Sequence, residues 1–156
     1  MTTLHRQIDT RLGIDDAFAF IADFGNSMLW DPGTVTSEPV DDSPAGLGSR
    51  YRLGVRLGSR VAPMEYRITA FESPGRVQLT GSGSNVEAVD DIRFSPSTTG
   101  THIEYTADIR LGGAMRLVQP FLGRAFAKLA QDAVEGMRRA LDERADAQAA
   151  AAGTQP

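Results

Sequence analysis

Apolar and polar residues alternate along most of the first 111 positions, and this period of two predicts β-strands. The predicted strands span residues 4–12, 34–40, 48–58, 61–72, 76–82, 86–95 and 101–111. Short segments rich in Gly, Pro, Ser and Asp separate the later strands, as is typical of hairpins. The sheet is therefore predicted to be antiparallel, with neighbouring strands following the order of the chain.

Helical spacing replaces the alternation directly after the first strand. Phe18, Ile21 and Ala22 share one helical face, which predicts a helix over residues 16–24 with Asp15 as its N-cap. The following stretch "NSMLWDPG" predicts a second short helix or turn. Two short elements are thus expected between the first and second strands.

A long helix is predicted after Pro120, where apolar residues recur at i, i+3, i+4 and i+7 as far as residue 144. Small residues on its expected inner face allow either close packing against the sheet or an internal void; they are Ala125, Ala133, Gly136 and Ala140. The Ala-rich segment 145–156 is expected to be a flexible tail beyond a single domain of residues 1–144.

Composition excludes several classes of chemistry. The 156 residues include no cysteine, which rules out disulfides, thiol nucleophiles and thiolate metal sites. His5 and His102 fall on outward strand phases, so neither a histidine metal site nor histidine catalysis is expected. A net charge of −4 disfavours nucleic acid as a partner. Without a membrane-spanning run or a signal-peptide h-region, we expect a cytoplasmic protein with no stable membrane insertion.

A carboxylate interrupts the apolar phase of the strand that spans residues 86–95. That phase places Asp90 between Ala88 and Ile92. Two interpretations are open. A β-bulge at Val89 would turn Asp90 toward solvent. Alternatively, Asp90 points inward, with Tyr66, Tyr105 or water as its partner, and serves as a polar anchor or a general base.

The order of elements resembles the helix-grip fold of the START-like superfamily, which includes polyketide cyclase/dehydrase-like proteins, lipid-transfer START domains and pollen-allergen relatives. The resemblance is carried by "IDDAFAFIADFGNSMLWDPG", "DDIRFSPSTTGTHIEYTADIRLGG" and "LVQPFLGRAFAKLAQDAVEGMRRAL". It implies an α+β fold in which seven curved antiparallel strands wrap around the long C-terminal helix. It also implies an elongated, mostly apolar cavity between the two.

This implied cavity supplies the candidate site. The expected ligand-binding residues are Trp30, Tyr51, Met64, Tyr66, Asp90, Tyr105, Phe126, Leu129, Ala133 and Met137. Asp90 is the one catalytic candidate, and no metal or other cofactor is expected.

Three hypotheses for the function follow. In the first, a monomer or homodimer binds a small hydrophobic or amphipathic molecule of the lipid, polyketide or isoprenoid type. In the second, a polyketide cyclase or dehydratase uses the same cavity for catalysis. In the third, side chains fill the cavity and the domain binds other proteins.

Overall fold

Seven antiparallel strands form one curved sheet in the computed structural model, which describes residues 1–153. The strands are β1 (Thr2–Thr10), β2 (Thr34–Pro39), β3 (Arg50–Leu57), β4 (Arg60–Glu72), β5 (Arg76–Ser82), β6 (Val86–Pro96) and β7 (Thr101–Leu111). Each predicted strand is present, with small differences at its ends. The antiparallel prediction is confirmed.

The strand order in the sheet is β1-β7-β6-β5-β4-β3-β2. Strands β2 to β7 therefore follow the chain as successive hairpins, as the turn-rich connections predicted. The first strand joins the far side, where its whole length pairs with β7, from Thr2 opposite Ile109 to Thr10 opposite Thr101. This pairing places the first strand of the chain beside the last one in the same sheet.

Two short helices connect β1 to β2, as predicted. They are α1 (Ile14–Ala22) and α2 (Ser27–Trp30), and a 3₁₀ turn lies between them. The predicted cap is wrong: Gly13 is the N-cap, because its carbonyl accepts the first helical hydrogen bond from Ala17. Asp15 instead lies in the first turn, where its charge favours the helix dipole.

The long helix α3 spans Gly123–Gly153 and packs along β1 and α2. Its predicted end at residue 144 is wrong, because the following turns also contact the domain. Asp146 forms an ion pair with Arg11, and Gln148 donates a hydrogen bond to Asp16. The expected flexibility of the segment stays a prediction, and residues 154–156 lie outside the described part. None of the described helices combines the length and hydrophobicity needed to cross a membrane.

The buried core consists of two groups of apolar side chains. The larger group joins α1, the middle of the sheet and the middle of α3, and includes Ile21, Ile92 and Met137. The smaller group includes Leu4 of β1 and Phe126 of α3. Members of both groups line a cavity between α3 and the sheet.

Candidate functional site

The cavity between α3 and the inner face of the sheet has a volume of about 130 Å³. Its apolar lining includes Leu4, Leu53, Val55, Met64, Ala88, Ala107, Leu111, Phe126, Leu129, Ala130 and Ala133. Pockets for drug-sized ligands measure about 300–1,000 Å³, whereas an apolar cavity of about 150 Å³ can take up benzene. In this conformation the cavity therefore fits a ring-sized group.

Small side chains on two facing surfaces leave this space open. Ala88 and Ala107 lie on the sheet, and Ala130 and Ala133 lie on α3. From the sequence, small residues were predicted only on the helix and not on the sheet. The sequence also indicated two helix residues wrongly: Ala125 is exposed to solvent, and Gly136 packs against α2.

Gly136 is required by a close approach of the two helices. A Cβ at this position would lie 1.9 Å from the carbonyl oxygen of Trp30. That distance is far below any allowed contact between nonbonded atoms. Gly136 therefore lets α2 lie against α3 and does not shape the cavity.

Asp90 points inward. The register of β6 is continuous with both neighbouring strands, and Asp90 lies opposite Leu79 of β5 and Ala107 of β7. The side chain lines the cavity, and the residue is only 5% exposed. The bulge interpretation is therefore wrong, because no extra residue shifts the phase of the strand.

Tyr105 is the partner of Asp90. Its hydroxyl donates a 2.8 Å hydrogen bond to Oδ1 of Asp90. Burial raises the pKa of Asp90 to about 7, the Tyr105 hydrogen bond opposes this shift, and the charges of Asp31 and Asp108 add to it. Burial followed by the charge of Asp90 raises the pKa of Tyr105 well above its usual value, so the phenol remains a donor.

Asp31 is a cavity residue that the sequence analysis missed. It follows Trp30, and its carboxylate accepts hydrogen bonds from the Gly33 amide at 2.8 Å and the Thr34 hydroxyl at 3.0 Å. Burial raises its pKa, which those two hydrogen bonds oppose. The "DPG" motif had indicated a turn, and the turn hydrogen bonds are present. The signal that could have identified Asp31 is its position directly after Trp30, which was itself a predicted site residue.

Tyr66 is the second phenol of the cavity. It is 7% exposed, and its hydroxyl has no hydrogen-bond partner within residues 1–153. Its ring lies over Gly81, the residue directly opposite on β5. A Cβ at Gly81 would come within 2.5 Å of the ring, so this glycine determines where the tyrosine lies.

Seven of the ten predicted ligand-binding residues line the cavity, namely Met64, Tyr66, Asp90, Tyr105, Phe126, Leu129 and Ala133. Their role in binding stays a prediction. Trp30, Tyr51 and Met137 are buried in the core instead. Phe24 packs edge-on against both Trp30 and Tyr51, and Phe24 itself lines the cavity. The two aromatic residues thus lie behind a ring that the sequence analysis did not single out.

Potential metal ligands do not converge in the described part of the chain. No group of three or more His, Asp or Glu side chains there could hold a metal ion. The nearest hydrogen-bonding partners of His5 and His102 are Thr106 and Asp9, at the outer face of the sheet. The ionisable groups at the cavity are therefore carboxyls and phenols, together with Arg56.

Comparison with known families gives one match over nearly the whole chain. The sequence model of the family described as polyketide cyclase / dehydrase and lipid transport matches residues 1–143. The chain belongs to this family. No curated protein matches the chain significantly.

Solved structures of low sequence identity share the fold of this polyketide cyclase/dehydrase and lipid transport family member. The protein TTHA0849 from Thermus thermophilus is 17% identical with a TM-score of 0.71, over 94% of this chain and 97% of that one. A START superfamily protein from Mycobacterium smegmatis is 13% identical with a TM-score of 0.71, over 95% and 99%. Protein SA2116 from Staphylococcus aureus, described as of unknown function, is 12% identical with a TM-score of 0.68, over 93% and 96%. These likenesses confirm the START-like fold.

Proposed function

We propose that the cavity binds a small hydrophobic or amphipathic molecule whose polar end lies at Asp90. One observation carries the proposal: an apolar cavity that side chains leave open contains a buried carboxyl group. An apolar ligand gains roughly 25 cal/mol for each Å² of surface removed from water. Because a buried polar group needs partners, the carboxyl orients the ligand as well.

The volume favours a compact ligand over an extended one. About 130 Å³ accommodates a ring-sized body, such as part of a small polyketide or a cyclic isoprenoid. A long acyl chain exceeds this volume. Of the three ligand types expected from the sequence, an extended lipid is therefore the least favoured.

Titration of isotope-labelled protein with toluene, followed by NMR, tests the proposal. We expect saturable shifts at residues of the cavity. Ala133→Leu should weaken binding because the added atoms fill the space, and Ala88→Val provides a second filling variant on the sheet. Ala125→Leu is the matched control, because it makes the same change on an exposed face of α3. Unchanged affinity in both folded filling variants would contradict the proposal.

A second candidate function is catalysis of the cyclase or dehydratase type. It is favoured by the pKa of Asp90, which at about 7 suits a general base near neutral pH. Asp90→Asn keeps the shape of the side chain but removes the base. Turnover should then be lost while toluene affinity is retained. The protein-interaction hypothesis assumed a filled cavity, and the open volume gives it no support.

A further inference from the structure

The carboxyl and phenol side chains of the cavity come from four parts of the fold. Asp31 comes from the turn after α2, Tyr66 from β4, Asp90 from β6 and Tyr105 from β7. The charge of Asp31 raises the pKa of Asp90 and adds to the raised pKa values of both tyrosines. The charges of these groups therefore act on one another across one end of the cavity.

Two of these groups have unused hydrogen-bonding capacity. Oδ1 of Asp90 accepts the Tyr105 hydrogen bond, whereas Oδ2 receives none from residues 1–153. The Tyr66 hydroxyl also has no partner in the described chain, although the residue is more than nine-tenths buried. Both residues line the cavity, so a ligand or water there can use this capacity.

The two carboxyl groups at this end of the cavity have no cationic partner in the described chain, because no lysine or arginine there forms an ion pair with either of them. Arg56 is the one cationic residue among those that line the cavity, and it is exposed to solvent. An anionic ligand group would thus be repelled by the carboxylates of Asp31 and Asp90 at a buried position.

From this arrangement we infer that the natural ligand carries a protonated amine, which donates hydrogen bonds to Oδ2 of Asp90 and to the Tyr66 hydroxyl. This inference rests on the proposed function of the cavity. An ammonium group supplies several donors and a positive charge between two carboxyls. An alcohol supplies one donor and no charge, and a carboxylate is repelled.

Four probes with the same ring test this inference by calorimetry near pH 8: toluene, benzyl alcohol, benzylamine and benzoate. We expect benzylamine to bind about tenfold or more tightly than benzyl alcohol, as one charge-assisted hydrogen bond provides. Benzoate should not bind measurably. The affinity for benzylamine should rise from about pH 6 to pH 8, because Asp90 ionises over this range. The other titratable or charged groups that line the cavity or act on Asp90 are Asp31, Tyr66, Tyr105, Asp108 and Arg56.

Asp90→Asn should reduce benzylamine affinity to that of benzyl alcohol. Asp108→Asn is the control, because it removes the same charge from the outer side of β7, where Asp108 accepts a hydrogen bond from Thr3. This variant should keep the preference for benzylamine over benzyl alcohol. Equal affinities for the amine and the alcohol, or binding of benzoate, would overturn the inference while toluene binding still supports the cavity. If toluene fails as well, the proposed function itself is wrong.

Discussion

The Tyr105 hydroxyl donates a 2.8 Å hydrogen bond to Oδ1 of Asp90, from one strand to the next. The two residues are fifteen positions apart, on β7 and β6, and both line the cavity. A phenol with a raised pKa thus holds a buried carboxyl whose pKa is about 7.

The contribution of Asp90 to the stability of the protein should fall as pH rises from about 4 to about 7. Unfolded Asp titrates near pH ~3.9, whereas Asp90 titrates at about 7 when folded. Between these values the folded state holds the proton more tightly, so its contribution is complete below about pH 4 and is lost through about pH 7. Relative to Asp90→Asn, the loss is at most roughly 4 kcal/mol. Denaturant unfolding of both proteins across this range measures it.

Subtraction of the variant isolates Asp90 from other groups that titrate in the same range, above all Asp31, whose pKa is also raised. Tyr66, Tyr105 and Asp108 interact with the same carboxyl, and Arg56 lines the same cavity. All four residues are present in both proteins. If the two proteins differ by the same free energy of unfolding at every pH, Asp90 does not titrate as described.

Tyr105→Phe should raise the pKa of Asp90 above about 7, because the hydrogen bond that stabilises its ionised form is removed. The carboxyl titration can be followed by carbon NMR. Tyr66→Phe is the matched control: its hydroxyl makes no hydrogen bond within the described chain, so the pKa of Asp90 should stay near 7. Equal effects of the two changes would show that the Tyr105 bond is absent in solution.

The fold was predictable because its signals are local. Alternation, turn composition and helical spacing each depend on a few adjacent residues, and they specified seven strands and a long helix. The direction of Asp90 was not predictable, because a bulge depends on the register against both neighbouring strands. That register is a property of the folded sheet.

The site was predictable in part for a related reason. Strand phase indicates which face of the sheet a residue occupies, but not which side chain packs against it. Tyr51 was therefore predicted to line the cavity. In the structure Phe24 lines the cavity and packs against Tyr51, which does not reach it. Asp31 was not predicted as a cavity residue, because a turn in the "DPG" motif already explains an acidic residue at that position. Its hydrogen bond with the Gly33 amide is part of that turn.

Gly136→Ala should destabilise the protein by roughly 2–4 kcal/mol, because the new Cβ would overlap the Trp30 carbonyl and force α2 away from α3. Gly123→Ala is the control on the same helix. No atom lies within 4 Å of a Cβ built at Gly123, so that change should be neutral or stabilising by up to about 1 kcal/mol. Thermal and denaturant unfolding measure both effects. Equal stabilities of the two variants would refute the close approach of the helices.

Gly81→Ala should weaken toluene binding, because a Cβ at this position lies 2.5 Å from Cζ of Tyr66 and pushes the ring off the sheet into the cavity. A double-mutant cycle with Tyr66→Ala checks the cause: once the ring is gone, the added methyl group should no longer affect binding or stability. We expect a coupling free energy of about 0.5–3 kcal/mol between the two positions. Gly46→Ala, where the nearest atom is 4.0 Å from the new Cβ, should leave toluene affinity unchanged. Additive effects of Gly81→Ala and Tyr66→Ala would show that the glycine does not position the tyrosine.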